Sequence, residues 1–223
     1  MLNRANMFIV LAVILSLIVP GIALAKDFPD VSAGHWGQKE IQGMSDLGFI
    51  TGNPDGKFYP DNPVTRAQFA AIIVKSLKLP VNAIQQPTFK DVSKKHWALG
   101  VIEAASKAGF IMGNQGLFRP EDMISRQEMG VIVMKISEKY GYAGDGSTAF
   151  LGQYRDSAEV SQWAAAKLSD AAKFGYIEEF HFSDEHYGVQ SAQHDRVLAP
   201  LNAATRAQAS VAVYRVLVKT GLI

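Results

Sequence analysis

The chain has 223 residues, no cysteine, 22 lysines and arginines against 21 aspartates and glutamates, and 48% apolar side chains. Near-balanced charge, with the basic residues spread along the chain, excludes the cationic stripe of a nucleic-acid binder and the polybasic cluster that holds proteins on anionic lipid. The lack of cysteine excludes a disulfide scaffold, and the apolar content suffices for a core of its own.

Arg4 precedes an apolar run from Met7 to Val19, which Pro20 and Gly21 break before the small-residue stretch Ala23-Leu24-Ala25. This pattern predicts a secretory signal peptide over 1–25 and a mature chain from Lys26. The run is shorter than the roughly 18 apolar residues of a membrane span. No membrane association is therefore expected after cleavage.

The rest of the chain reads as one pattern written three times. The first copy, 26–79, carries Phe28, Asp30, Trp36, Gly48, Phe58, Pro60 and Arg66. Trp36, Ile41, Met44 and Leu47 share one helical phase, and Gly48 supplies a left-handed helix stop. A turn at Gly52-Asn53-Pro54-Asp55-Gly56 follows. Thr65 then stands three residues ahead of Gln68 as a capping box for a second helix.

Pro80 to Thr88 reads as a linker into the second copy, 87–140, with Phe89, Asp91, Trp97, Gly109, Phe118, Pro120 and Arg126. A glycine-rich linker, Tyr140 to Gln153, leads to the third copy, 152–223. That copy has Tyr154, Asp156, Trp163, Gly175, Leu198, Pro200 and Arg206, and an insertion at about 180–197. Ser125 with Glu128 and Thr205 with Gln208 repeat the capping box. The second helices are apolar around most of their circumference. An all-α fold is therefore predicted, three helix-loop-helix repeats around a central three-helix bundle.

Arg66, Arg126 and Arg206 each fall just inside a helix N-terminus, where the helix dipole disfavours a cation. Two readings stand. Each arginine clamps the aspartate of its own or a neighbouring copy (Asp30, Asp91 or Asp156), or each joins free helix amides to receive an anion. The phase of Trp36, Trp97 and Trp163 favours core packing, with stacking on sugar faces as the alternative. Asp30, Asp91 and Asp156 read as turn or capping groups. His181, Asp184, Glu185, His186, His194 and Asp195 match no recognised metal-ligand spacing and read as a solvated loop, so neither metal nor cofactor is expected. No pair of carboxylates or strained serine turn marks the chain as an enzyme.

Phe28-x-Asp30-Val31, His35-Trp36, Gly48-Phe49-Ile50-x-Gly52 and Val64-Thr65-Arg66-Ala67-Gln68 recur in the second copy as Phe89-x-Asp91-Val92, His96-Trp97, Gly109-Phe110-Ile111-x-Gly113 and Ile124-Ser125-Arg126-Gln127-Glu128. With the third copy, the chain resembles three tandem S-layer homology domains. That resemblance implies a pseudo-three-fold arrangement whose inter-repeat grooves bind secondary cell-wall polymer, commonly pyruvylated N-acetylmannosamine glycan. It implies a secreted protein held at the cell wall. It also implies that Arg66 and Arg126 contact the ligand and that Gly52 and Gly113 let the sugar approach.

Three departures stand out: Gln68 and Gln208 replace the family's glutamate, Ser125 and Gln127 alter the second motif, and Glu178-Glu179 occupy the place of a loop glycine in the third copy. These place the working grooves on copies one and two and make Arg206 the weakest of the three arginines. The competing reading is an interaction or surface-layer assembly module, without glycan binding, whose partner is a surface-layer or other exported protein.

Overall fold

The computed structural model describes residues 27–84, 86–177, 180–181 and 196–223. The predicted leader lies outside them, as do Glu178, Glu179 and the side chains of the histidine-bearing insertion. Among these residues six α-helices appear: α1 (Gln38–Asp46), α2 (Arg66–Ser76), α3 (Leu99–Lys107), α4 (Arg126–Lys139), α5 (Ala165–Lys173) and α6 (Arg206–Lys219). Two 3₁₀ turns, Ala149–Gln153 and Ser157–Glu159, lie between α4 and α5. Strands β1 (Phe180–His181) and β2 (Arg196–Val197) pair antiparallel. The fold is all-α, as the periodicity predicts.

Local chemistry sets the helix ends. Thr65, Ser125 and Thr205 close complete capping boxes with Gln68, Glu128 and Gln208. The first helix of each copy stops at Gly48, Gly109 or Gly175, with φ of 71°, 81° and 71°.

The starts of the first helices depart from the predicted phase. Trp36 and Trp97 stand before α1 and α3, stacked on His35 and His96 at 5.4 and 5.9 Å. The histidine Nδ1 atoms accept from Gly37 N–H and Ala98 N–H, both at 3.1 Å. Because the backbone is not yet helical there, the apolar stripe does not include the tryptophans. Trp36, Trp97 and Trp163 are 45%, 64% and 60% exposed, so the core-packing reading is overturned.

Each aspartate near the start of a copy holds a turn in that copy. Asp30 accepts from Phe58 N–H and Tyr59 N–H, Asp91 from Phe118 N–H and Arg119 N–H, and Asp156 from Leu198 N–H and Ala199 N–H. The second amide in each case belongs to a non-glycine residue in the left-handed region, with φ of 59°, 58° and 47°. Two hydrogen bonds to a carboxylate offset that strain. Burial raises the pKa of Asp30 and Asp91, but the backbone amides outweigh it and hold both below the usual carboxylate value.

Between copies the chain closes on itself. The main helix contacts join α2 to α3, α4 to α5 and α6 to α1, while α6 also touches α2 and α4. Each second helix thus packs on the first helix of the following copy in cyclic order. Val64 N–H donates to Ala204 O at 3.0 Å, Ala204 N–H to Ile124 O at 2.8 Å, and Ile124 N–H to Val64 O at 3.0 Å. All three residues are fully buried.

The same closure satisfies the helix N-termini. Arg66 and Ala67 N–H donate to Asp122 and Pro120 O, Arg126 and Gln127 N–H to Asn202 and Pro200 O, and Arg206 and Ala207 N–H to Asn62 and Pro60 O. These amides are occupied by the neighbouring copy. The expectation that they join an arginine in receiving an anion does not hold.

Candidate functional site: two grooves floored by arginine

Arg66 lies at the floor of a groove of about 540 Å³ lined among others by Met112, Gly113, Val131 and Trp163. Its Nε donates to Phe118 O at 2.8 Å, its Nη1 to Glu128 Oε1 at 2.7 Å and its Nη2 to Met112 O at 3.2 Å. The guanidinium also sits over the Phe118 ring, 5.2 Å from its centroid. Burial pulls its pKa down and Glu128 opposes that shift. Further cations line the same groove: Arg119, Lys135 and Lys167. Lys167 pairs with Glu138 at 2.5 Å. Lys135 is pulled below the usual lysine value, first by burial and then by the Lys167 charge.

Arg206 floors a second groove, about 230 Å³, with Thr51, Gln68, Ile72, Lys75, Trp97 and Ser210 in its walls. Its Nε donates to Phe58 O at 2.7 Å and its Nη2 to Thr51 O at 3.2 Å, and it lies 4.6 Å from the centroid of the Phe58 ring. Burial lowers its pKa. Among the described residues no carboxylate forms an ion pair with it. Arg126 is 1% exposed and donates from Nε to Leu198 O at 2.6 Å. The loop facing it continues into residues outside those described.

Sequence spacing leaves open whether each arginine serves its own copy or a neighbouring one. The structure seats it on the loop of the next copy: Arg66 on copy two, Arg126 on copy three, Arg206 on copy one. The acidic Glu178-Glu179 pair that sets Arg206 apart in the sequence lies outside the described residues, and the loop Arg206 meets is that of the first copy, through Phe58 and Thr51. Asp30 and Asp91 bond backbone amides and reach Arg206 and Arg66 only as charges acting through space, while Arg66 takes Glu128 as its counter-ion.

A methyl group added at Gly113 would stand 2.4 Å from the Phe89 ring and 2.5 Å from Leu117 O; at Gly52 the neighbours are Phe28 at 2.8 Å and Lys57 O at 3.1 Å. Both glycines are required by their own loops, whatever approaches from outside. Gly113 lines the Arg66 groove, whereas Thr51 rather than Gly52 lines the other.

Spacing did not single out Lys75, Lys135 or Lys167. A signal was available: Lys75, Lys135 and Arg215 each stand six residues after Phe69, Met129 and Ala209, so every copy carries a cation at that point. In the third copy Arg215 donates to Glu40 at 3.2 Å and to Gly175 O at 3.0 Å. Among the described residues no cluster of three or more potential metal ligands occurs, and no helix is long and apolar enough to cross a membrane.

The chain is 32% identical over 199 residues to an amylopullulanase of Thermoanaerobacterium thermosulfurigenes, covering 88% of this chain and 10% of that enzyme. It is 33% identical over 189 residues to the exoglucanase XynX of Acetivibrio thermocellus, covering 83% of this chain and 16% of that one. It is 42% identical over 116 residues to the S-layer protein EA1 of Bacillus anthracis, covering 52% of this chain and 13% of that protein. This chain thus spans between a tenth and a sixth of the length of these relatives. The family model for the S-layer homology domain matches residues 27–70 and 88–129, and this chain therefore carries S-layer homology domains.

Proposed function

We propose that the protein is a non-catalytic anchoring module, exported to the cell surface and held there by an anionic wall polymer bound in the grooves floored by Arg66 and Arg206. The observation that carries this reading is Arg206. A guanidinium without a carboxylate partner among the described residues lies in an open groove beside Trp97, whose ring is 64% exposed. A carboxylate fits the guanidinium, and an exposed indole fits a sugar face.

Two of the relatives are named as carbohydrate-acting enzymes and the third as a surface-layer protein, yet each shares only a small fraction of its length with this chain. A segment common to proteins of unlike activity supports attachment as its role. A pyruvate ketal on the polymer presents the carboxylate, and one charge-assisted hydrogen bond to it contributes about 1.5–3 kcal/mol when sheltered and less in a wet groove. Two grooves engaging one polymer raise the effective concentration and make attachment persistent. Arg126 stands in the corresponding place at the third interface.

Cosedimentation of the mature protein with purified cell walls tests this, before and after acid extraction of the non-peptidoglycan polymer. Binding is expected to be lost on extraction and reduced by Arg206→Ala. Binding that survives extraction would point to a protein or peptidoglycan partner instead.

A further inference from the structure

The capping boxes of α2 and α4 present different chemistry to the grooves beside them. At Glu128 the carboxylate divides its labour: Oε2 accepts from Ser125 N–H at 2.9 Å and Ser125 Oγ at 2.8 Å, while Oε1 accepts from Arg66 Nη1 at 2.7 Å and Arg119 Nη2 at 3.3 Å. At the same position of α2, Gln68 Oε1 accepts from Thr65 N–H at 2.9 Å. What remains of Gln68 is an NH₂ group, a donor, in the wall of the Arg206 groove. One position therefore supplies a built-in counter-ion to one groove and an extra donor to the other. The cap is served equally by glutamate and glutamine.

We infer that the third residue of the helix in each groove wall, Gln68 or Glu128, decides how strongly that groove takes a carboxylate, and that the Arg206 groove is the primary carboxylate site. This rests on the wall-polymer reading. A carboxylate approaching Arg66 meets the Glu128 charge already in place and must displace it from a sheltered pair, with side chains 5% and 19% exposed. Arg119 is engaged by Glu128 and Asp122, and Lys167 by Glu138, so Lys135 is the one lining cation of that groove without a carboxylate pair among the described residues. In the Arg206 groove neither Arg206 nor Lys75 has such a partner among the described residues, and no acidic side chain lines it. Asp30 is the carboxylate whose charge reaches Arg206, from outside the groove lining, and the amide of Gln68 adds a hydrogen bond.

The test follows the arginine Nε–H resonances of the full mature chain by NMR during titration with a methyl glycoside bearing a 4,6-linked pyruvate ketal, alongside its methyl ester. The acid is expected to shift Arg206 at about tenfold lower concentration than Arg66, and the ester to move neither. Gln68→Glu should raise the Arg206 midpoint about tenfold with capping and thermal midpoint retained, and Glu128→Gln, which keeps the cap but lowers the thermal midpoint by leaving Arg66 without its sheltered counter-ion, should lower the Arg66 midpoint toward that of Arg206. Equal midpoints in the unsubstituted protein, no response to either substitution, or a glycoside that moves neither resonance would overturn the inference. Cosedimentation separates the two ideas. Walls that bind independently of Arg206 defeat the anchoring reading even if the midpoints differ, while Arg206-dependent wall binding with equal midpoints defeats this inference alone.

Discussion

Val64, Ile124 and Ala204 exchange backbone hydrogen bonds in a closed cycle, whereas the Arg66 and Arg206 grooves, alike in their arginine, Phe-Ile pair, lysine and exposed tryptophan, differ in their walls at Glu128 against Gln68, Met112 against Thr51 and Val131 against Ala71. The cycle asks of each copy only a buried apolar residue, an N–H and a C=O. Such a requirement survives extensive change in side chains, so each copy can alter its groove without unseating its neighbours. The sharpest way to break the comparison is Ile124→Pro. It removes the donor to Val64 O and a fully buried side chain together, and is expected to cost 3 kcal/mol or more, on the order of a backbone break in a helix. Loss of the cooperative thermal transition by circular dichroism would show it. A midpoint within a few degrees of the original would mean that the cycle is not what joins the copies.

The arginines belong to both regions, which makes them the place to separate stability from binding. Arg126→Ala removes a 1% exposed guanidinium and its bond to Leu198 O, and is expected to cost about 2–4 kcal/mol. Arg206→Ala should cost about 1 kcal/mol while reducing wall binding more. Denaturant titration beside cosedimentation measures both. The reverse order of stabilities would place the open groove at the Arg126 interface rather than at those of Arg66 and Arg206.

Much of this was legible in the residues themselves. Thr65 with Gln68, the glycines at 48, 109 and 175, and the Phe28 and Phe89 motifs act within a few positions along the chain, where spacing is a faithful guide. The partner of each arginine was not legible. Arg66 meets Met112 and Phe118 in the next copy, and a repeat pattern is the same whether a side chain serves its own copy or its neighbour's. The tryptophans misled for a different reason: phase was extended upstream past Gly37 and Ala98, where the histidine turn replaces helix. The occupied helix amides were hidden too, because their acceptors at Pro60, Pro120 and Pro200 lie in other copies.

Asp30 and Asp91 sharpen the contrast at intermediate cost. Asp91→Ala leaves the Phe118 and Arg119 amides without their carboxylate and should destabilise by about 2 kcal/mol. The pH dependence has a definite sign. Because both carboxylates titrate lower in the folded chain than the unfolded value of about 3.9, their contribution is complete above that value and is lost as pH falls through the depressed folded pKa. Urea titrations stepped from pH 5 to pH 2 should show this loss, with a shallower slope in Asp91→Ala. An unchanged slope would remove Asp91 from the account of acid sensitivity.

The smallest effect on folding is expected where the groove reading asks most of a side chain. Trp97 is 64% exposed and its ring contact is with His96, so Trp97→Ala should change stability by less than about 1 kcal/mol. In the Arg206 groove the same indole offers a flat apolar face beside the guanidinium, the pairing a sugar acid requires. Wall cosedimentation should therefore fall while the thermal midpoint stays in place. A midpoint that drops by ten degrees would return the tryptophan to a packing role, and undiminished wall binding would leave Arg206 to hold the polymer without it.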